Sequence, residues 1–215
     1  FLDDAVAAIA DAADAHPNTA LFPRIELRDR GDLRLLLRPS PAIEREVVLA
    51  TGDHDPRREP VIKGPDLERL VALRTAAQAR GAGEAVIVDA RARVIEGAYS
   101  AIVWSRDGRL HVVAADAPRI PSVTERLVLD AARACGRRVL HGRPTPDELE
   151  GAAVWVLSAL HGARAATAWV DGPTLTRDAD TDAWLREALD TALTPVRGVP
   201  ALGGPARLSP NAGQP

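Results

Sequence analysis

The chain has 215 residues, of which 46% are hydrophobic and 27% are charged, values that are ordinary for a soluble globular protein of one or two domains. Its formal net charge is −3 at pH 7, so charge gives no sign of nucleic-acid binding, and no apolar run approaches the roughly 20 residues of a membrane span. Cys135 is the single cysteine, which excludes an intrachain disulfide and favours the reducing cytoplasm.

The first 60 residues predict a helix, a hairpin and one further strand. Residues 1–15 place apolar side chains on one helical stripe, and residues 23–38 alternate on both sides of a polar turn. Residues 46–50 are a third predicted strand. The polar residues 51–60 carry two prolines and predict a linker, which would separate a small α+β domain (1–55) from a larger one (60–200).

The start of the chain is also unusual. Phe1 falls inside the first predicted helix, and the sequence contains no methionine. From this pattern we expect the small domain to be truncated, with further residues preceding Phe1.

The remaining residues predict many short strands and three longer helices. Residues 61–63 are expected to end a strand, and a helix is expected from Pro65 to about residue 80. Further strands are predicted at 85–89, 93–95, 98–105, 110–114, 138–140, 153–157 and 165–170. Helices are predicted at 123–134 and 182–193, with a helical turn at 146–150 and a flexible tail at 201–215. Because strands and helices do not alternate strictly, the pattern predicts an α+β fold.

Lys63 is the only lysine among the 27 lysine and arginine residues. Where a chain uses arginine for its other cations, a remaining lysine is expected at a position that needs a primary amine. Lysine can lose its proton and form a Schiff base with a carbonyl, whereas arginine stays protonated. On this feature alone, a surface lysine that remained by chance is an equal alternative.

Four segments, in their order and spacing, resemble the class IV aminotransferases. This family of fold-type IV pyridoxal-phosphate enzymes includes branched-chain and D-amino-acid aminotransferases and aminodeoxychorismate lyase. The segments are VIKGPDL (61–67), VIEGAYS (94–100), IPSVTER (120–126) and WVLSAL (155–160). The resemblance covers roughly residues 20–195. It implies a two-domain α+β fold like that of D-amino-acid aminotransferase, pyridoxal 5'-phosphate in the crevice between the domains, and a homodimer.

The resemblance also implies roles for three side chains. Lys63 would hold the cofactor as a Schiff base and move the proton at the substrate Cα. Glu96 would lie beside the pyridine nitrogen and keep it protonated, which makes the ring an electron sink. Ser100 would contact the cofactor near the ring, although Ala101 stands where the family usually has Asn. The structural alternative for Glu96 is an ordinary residue in a bulge before Gly97.

Two segments are expected to bind the cofactor phosphate. At the start of a helix, the backbone N–H groups of Ser122, Val123 and Thr124 and the Thr124 hydroxyl suit an anion. Ser122 and Glu125 also fit a capping box, which would explain these residues without any phosphate. The second segment is Ser158, Ala159 and Leu160, where the alternative is a plain junction between strand and turn. The family's phosphate-binding Arg matches no residue here and is expected upstream of Phe1.

The histidines form no metal-ligand spacing, so no metal is expected. His161 follows the second phosphate segment and would either pack against the protein or contact substrate.

The sequence therefore predicts a pyridoxal-phosphate-dependent aminotransferase. It would transfer an amino group between an amino acid and a 2-oxo acid, both small molecules, and would bind neither nucleic acid nor membrane. An aminodeoxychorismate lyase, releasing 4-aminobenzoate and pyruvate, would use the same residues. A degenerate binding protein without catalysis is a third reading, favoured by Ser122 and Ala101 in place of the usual Gly and Asn. The presence of both Lys63 and Glu96 argues against it.

Overall fold

The computed structural model describes residues 1–28 and 30–193. These residues form four α-helices, ten β-strands and one turn of 3-10 helix at Asp147–Leu149. The helices are α1 (Leu2–Ala15), α2 (Leu67–Ala79), α3 (Val123–Ala134) and α4 (Ala179–Thr191). The strands are β1 (Arg24–Leu27), β2 (Leu33–Leu36), β3 (Glu46–Thr51), β4 (Glu84–Val88), β5 (Val94–Gly97), β6 (Ala101–Arg106), β7 (Arg109–Val113), β8 (Val139–Gly142), β9 (Ala153–Ser158) and β10 (Gly162–Val170). The predicted α+β class is confirmed, while the predicted tail at 201–215 lies outside the described residues.

The chain divides into two compact units. In the first, Phe1–Ala42, α1 precedes an antiparallel hairpin in which Arg24 of β1 pairs with Leu36 of β2. The helix and the hairpin expected from the sequence are both present. The second unit, Ile43–Ala192, contains the other strands and helices.

The larger unit begins earlier than the sequence suggested. Strand β3, expected in the first domain, lies between β4 and β10 and is parallel to both, with Leu49 and Ala50 fully buried. Residues 51–60, interpreted as a linker, connect β3 to α2 inside this unit. They also bury Arg57, whose side chain is only 2% exposed. Polar composition suggested a linker, but here the polar side chains pair with one another.

Eight strands of the described chain form one mixed sheet in the order β5-β4-β3-β10-β9-β6-β7-β8. The pairs β3/β4, β3/β10 and β7/β8 are parallel, and the remaining neighbours are antiparallel. The sheet curls, so that its two edges meet: the Val94 N–H of edge strand β5 donates to the Pro144 C=O, just beyond the opposite edge strand β8, at 2.8 Å. Strands β5 and β6 are not neighbours in the sheet and are joined by a tight turn.

Alternating residues of the central strands enter two separate hydrophobic cores. In β6, Ile102 and Trp104 belong to a core that α2 completes through Leu73. Val103 of the same strand and Trp155 of β9 belong to the other core, which α3 and α4 cover. The central strands therefore bury apolar residues on both of their faces. No described helix is long and apolar enough to cross a bilayer.

Residues 61–63 form a turn and not the predicted strand end. The Ile62 N–H donates to the Glu59 C=O at 2.9 Å. The Asp66 carboxylate accepts from the N–H groups of Arg58 and Glu59 at 2.9 and 2.7 Å. These local bonds satisfy backbone donors that a strand would have paired with a neighbour, so two apolar residues in sequence were too weak a signal for a strand.

The packing of α4 gives a first testable prediction. Leu185 is fully buried in the core that α3 and α4 cover. We expect Leu185→Ala to lower the free energy of unfolding by about 2–5 kcal/mol, since it removes apolar contacts and leaves a cavity. Urea denaturation would measure the change. Leu193→Ala is the control, because Leu193 follows the same helix but is 74% exposed. The control should change stability by less than about 0.5 kcal/mol, and equal losses in the two variants would contradict the packing described.

Candidate active site

One cavity of the larger unit, of about 330 Å³, gathers nearly all the side chains that the sequence singled out. Its walls are formed by the turn before α2, the junction of β5 and β6, the start of α3 and the end of β9. The predicted site residues on these walls are Lys63, Glu96, Ser100, Ser122, Val123, Thr124, Ser158 and Ala159. Segments separated by up to about a hundred positions in sequence therefore meet at one place.

Leu160 is the exception among the predicted site residues. Ser158 of β9 pairs with Gly162 of β10, so the chain reverses over residues 159–161. Leu160 lies in this reversal, half-buried, and does not line the cavity. A site residue was expected there, and of this segment Ser158 and Ala159 line the cavity.

A tight turn between β5 and β6 places Glu96 and Ser100 beside each other. The Gly97 N–H donates to the Ser100 C=O at 2.7 Å. A Cβ at position 97 would lie 2.3 Å from the Ser100 hydroxyl oxygen and 3.2 Å from the Glu84 side chain. Only glycine fits here without displacing Ser100. Gly97 is therefore required by the close approach of Ser100 across the turn.

Glu96 is a buried carboxylate on the cavity wall, with a side chain only 10% exposed. Burial penalises its charged form and raises its pKa to about 7, while the charge and the hydrogen bond of Arg57 act in the opposite direction. The charge of Arg119 and the backbone N–H of Ile120 also favour the ionised form. Glu96 is thus poised near neutrality, where a cation in the cavity would favour its ionised form.

Arg57 is a cavity residue that sequence reasoning missed. Its Nη1 donates to Oε1 of Glu96, and its Nε and Nη2 donate to the two carboxylate oxygens of Asp55, each at 2.8 Å. These partners raise the pKa of Arg57, although burial acts against them. Two features kept Arg57 from being recognised in the sequence. The spacing of Asp55 and Arg57 is too common to indicate a buried ion pair, and the other partner, Glu96, is 39 residues away.

Lys63 lies in the turn before α2, with its side chain exposed at the cavity wall. The turn is fixed by Asp66, whose carboxylate binds two backbone N–H groups, and those hydrogen bonds lower the Asp66 pKa. Gly64 follows with φ +125°, a conformation that favours glycine. Asp66 was not singled out from the sequence, where it reads only as a residue near the start of a helix.

The start of α3 presents backbone donors to the same cavity. Ser122 caps the helix by accepting the Glu125 N–H at 3.2 Å, and the first helical bond runs from the Arg126 N–H to the Ser122 C=O at 3.0 Å. The N–H groups of Val123 and Thr124 precede that bond, so they have no partner within the helix. Such groups suit an anion.

Only half of the predicted capping box forms. The Glu125 carboxylate does not return to Ser122, since it pairs with the Arg119 guanidinium at 2.7 and 2.9 Å. Both side chains are nearly buried, with 7% and 8% exposed. Arg119 therefore compensates an acidic residue in the first turn of α3, where an unpaired carboxylate would repel an anion.

Ser100 is held from behind by a second buried carboxylate. Its hydroxyl donates to Oε2 of Glu84 at 2.9 Å, and Glu84 is fully buried. Burial raises the Glu84 pKa, against the hydrogen bond from Ser100 and the charge of Arg164. With its proton directed to Glu84, Ser100 offers lone pairs to the cavity and acts there as an acceptor. In the sequence, Glu84 could have been noticed as an acidic residue at the first position of an otherwise apolar strand.

The remaining candidates have structural partners. His161 does not line the cavity; its Nδ1 accepts the Glu44 N–H at 3.1 Å, and burial lowers its pKa. Tyr99 does line the cavity and stacks on the Arg74 guanidinium at 5.3 Å. Within residues 1–28 and 30–193, no group of three His, Cys, Asp or Glu side chains could hold a metal ion.

Comparison with known proteins identifies one family and several similar structures. A family model described as amino-transferase class IV matches residues 33–169. A fold IV transaminase from Curtobacterium pusillum is 22% identical, with 87% of this chain aligned to 70% of that one at a TM-score of 0.73. An aminotransferase from Brucella abortus, bound to the cofactor PLP, is 16% identical over 87% of this chain and 74% of its own, with a TM-score of 0.71.

A third solved structure is a putative 4-amino-4-deoxychorismate lyase from Legionella pneumophila. It is 16% identical, with 73% of this chain aligned to 61% of that one and a TM-score of 0.65. The chain thus spans between about three fifths and three quarters of the length of these three proteins. At such identities the likeness shows a common fold. No curated protein matches the sequence.

The buried Glu96 should make the stability of the cofactor-free protein depend on pH. Its pKa is about 7 in the folded protein against an ordinary value of 4.5, so the folded state binds the additional proton between these values. The free energy of unfolding should therefore fall as pH rises through this window, by about 3 kcal/mol from this group. We expect Glu96→Gln to remove that loss.

Urea denaturation of the wild type and of Glu96→Gln, from pH 4.5 to 8, measures the difference. Glu187→Gln, at an exposed position of α4, is the matched control and should keep the wild-type slope. Parallel pH profiles for the wild type and Glu96→Gln would show that Glu96 does not titrate in this range.

Proposed function

We propose that this chain, which belongs to the class IV aminotransferase family, is a pyridoxal-phosphate-dependent aminotransferase with Lys63 as its catalytic amine. One observation carries the proposal. The only lysine of the chain shares a cavity with a buried carboxylate and with the start of a helix. Its substrates would be an amino acid and a 2-oxo acid, and the chain would act as a homodimer.

The donor groups in the cavity fit the cofactor by their chemistry. The Lys63 amine suits an aldehyde carbon, the Glu96 carboxylate suits a ring nitrogen that carries a proton, and the α3 N–H groups suit a phosphate. When bound, pyridoxal phosphate withdraws electrons from the substrate Cα and makes the proton on that carbon acidic. The cavity therefore offers a matching group for each reactive part of the cofactor.

Lys63 would hold the cofactor through its amine and later move a proton at the substrate Cα. A proton carrier needs a group that can exist in both protonation states, which an arginine cannot provide. The turn that carries Lys63 is fixed by Asp66, and the side chain is exposed at the cavity wall. The backbone is thus held in place while the amine keeps access to the cavity.

Glu96 would stabilise a proton on the ring nitrogen. Its carboxylate is removed from water, where its interaction with a nearby cation is stronger than in solvent. Arg57 binds one of its oxygens and favours the ionised form. A protonated ring nitrogen would add a second favourable charge and stabilise the carboxylate further.

The phosphate would be bound by the N–H groups of Val123 and Thr124, with the hydroxyls of Ser122 and Thr124. Ser122 accepts one helical N–H, and its own hydroxyl proton remains available for donation. Ser158 and Ala159 border the same cavity from the end of β9. The pairing of Glu125 with Arg119 removes the principal repulsion at this position.

The same groups would serve an aminodeoxychorismate lyase, because the lyase shares the cofactor and the lysine. Two assays separate the reactions. An aminotransferase converts amino acids only when a 2-oxo acid acceptor such as 2-oxoglutarate is present. A lyase releases pyruvate from aminodeoxychorismate without any acceptor.

Borohydride reduction in the presence of pyridoxal phosphate tests the proposal directly. We expect a visible absorption band in the wild type, its loss on reduction, and a mass adduct on the single peptide that carries Lys63. Lys63→Ala and Lys63→Arg should both lose the band and the adduct, and kcat/KM should fall by at least about 100-fold. Because Lys63→Arg keeps the positive charge, loss of the band and the adduct in that variant would show that the lysine amine is needed and not only its charge.

A wild-type chain with no band and an unmodified Lys63 would contradict the catalytic role. That outcome would favour a degenerate family member that binds a ligand without catalysis.

A further inference from the structure

Three side chains form a carboxylate–guanidinium–carboxylate chain that ends at the cavity. Arg57 lies at its centre, with a side chain only 2% exposed. Asp55 takes two of its donors and also accepts the Arg57 backbone N–H at 3.0 Å, while Glu96 takes the third donor through Oε1. We call these residues, Asp55, Arg57 and Glu96, the cavity triad.

The charge of the cavity triad is not balanced. Two carboxylates face one guanidinium, so the group carries one net negative charge when all three are ionised. Arg57 has its bidentate contact with Asp55 and only a single hydrogen bond with Glu96. Asp55, which does not line the cavity, therefore compensates part of the guanidinium charge from the other side of Arg57.

Protein stability gives a poor reason for such an arrangement. A buried ion pair costs desolvation free energy, and well-packed apolar residues often replace it without loss. Asp55 is the more exposed end of the triad, with 30% of its side chain accessible, whereas the side chain of Glu96 is 10% exposed. The Glu96 end is therefore where a charge costs most, and where a cation in the cavity would stabilise it.

We propose that Asp55 and Arg57 are positioning residues that act through Glu96. Arg57 fixes the Glu96 carboxylate by one oxygen and favours its ionised form, and Asp55 offsets the guanidinium charge so that the cavity triad still attracts a cation. That cation is the protonated ring nitrogen of pyridoxal phosphate. This inference rests on the proposed function and extends it to two residues outside the motifs of the sequence.

The other charged groups that act on Glu96 do not remove this imbalance. Arg119 favours the ionised form through its charge, but its guanidinium is bound to Glu125. Lys63 borders the same cavity and is exposed to solvent. Asp66 also lines this cavity and interacts with the charge of Arg57, but its carboxylate is bound to backbone N–H groups. Asp55 has the direct contacts with the Arg57 guanidinium and therefore most affects how much of its charge reaches Glu96.

Two substitutions should move the Glu96 titration in opposite directions. Arg57→Met removes the nearest cation, so the midpoint of Glu96 should rise by about one pH unit or more. Asp55→Asn leaves Arg57 with more uncompensated charge, so the same midpoint should fall. Arg57→Lys keeps a positive charge but lacks the planar guanidinium that contacts both carboxylates. The Glu96 midpoint in this variant should lie between those of the wild type and Arg57→Met. A purely structural role for these residues would move both midpoints in the same direction.

Carbon-13 NMR of the glutamate carboxyl groups in the cofactor-free full chain measures these midpoints. Glu96→Gln assigns the signal by its loss. Arg164→Met is the matched control, because Arg164 is a buried arginine that contacts Glu84 and Glu44 and has no bond to Glu96. Its substitution should leave the Glu96 midpoint unchanged. Since Asp55→Asn preserves shape, it keeps the test valid if Arg57→Met fails to fold.

A second readout uses pyridoxal phosphate labelled with nitrogen-15 in the ring. Its chemical shift should report a protonated nitrogen in the wild type. At the same pH, Asp55→Asn should lower the protonated fraction, because the cavity triad loses a negative charge, whereas Arg57→Met should not lower it, because the triad loses a positive charge. Unchanged protonation in Asp55→Asn, or an equal loss in the two variants, would overturn the proposal.

The two proposals can fail separately. A wild type that forms the Lys63 adduct while Glu96 shows no opposite movement would overturn the role of the cavity triad and leave the proposed function intact. A wild type without the adduct would overturn the proposed function, whatever the titration of Glu96 shows.

Discussion

The burial of the Glu96 carboxyl group is the constraint on which the rest of the site depends. A buried carboxylate needs hydrogen bonds and opposite charge, or it takes up a proton. Arg57 supplies both, which brings residues 51–60 into the larger unit. Arg57 in turn is oriented by Asp55. The conformation of the segment before Lys63 is thus coupled to an acidic residue on β5.

The turn between β5 and β6 applies a second constraint of the same kind. Gly97 allows Ser100 to approach closely, and Ser100 then donates to the buried Glu84. Glu96 and Glu84 therefore lie on either side of one glycine, in different surroundings. Glu96 meets a guanidinium and the cavity, whereas Glu84 lies in the interior and holds a hydroxyl in place. Burial raises the pKa of both carboxyl groups, but only Glu96 is placed to interact with a ligand.

Local patterns in the sequence predicted the fold where the stabilising interactions were themselves local. The helix at 123–134 was predicted with its observed bounds, because Ser122 caps it and its apolar residues repeat with helical period. The strand pattern and the α+β class followed from alternation and tight turns. Lys63 and Glu96 were identified through four segments that resemble the class IV aminotransferases, and that resemblance implied that they share one site.

Interactions between distant segments were beyond these patterns. Nothing near Arg57 indicates that its partner is Glu96, 39 residues later. The pairing of β3 with β10 joins residues more than a hundred positions apart. Because local sequence patterns do not show this pairing, the boundary between the two units was predicted too late in the chain. The turn at 61–63 depends on Asp66, whose carboxylate binds backbone rather than a side chain. Each case needs a partner that sequence periodicity does not specify.

The site divides its chemistry between fixed charges and an accessible amine. Electrostatic stabilisation is most effective when the charged groups are already oriented and shielded from water, as Glu96 and Arg57 are. The proton transfer proposed for Lys63 has a different requirement, since the same nitrogen would have to reach both cofactor and substrate. Lys63 would meet it, because its side chain is exposed on a turn that Asp66 holds at the backbone. A lysine buried as deeply as Glu96 would be rigid, and its amine could not move between cofactor and substrate. A carboxylate exposed like Lys63 would interact only weakly with a cation, because water screens its charge. Each of the two residues therefore needs its own surroundings, and this fold provides them.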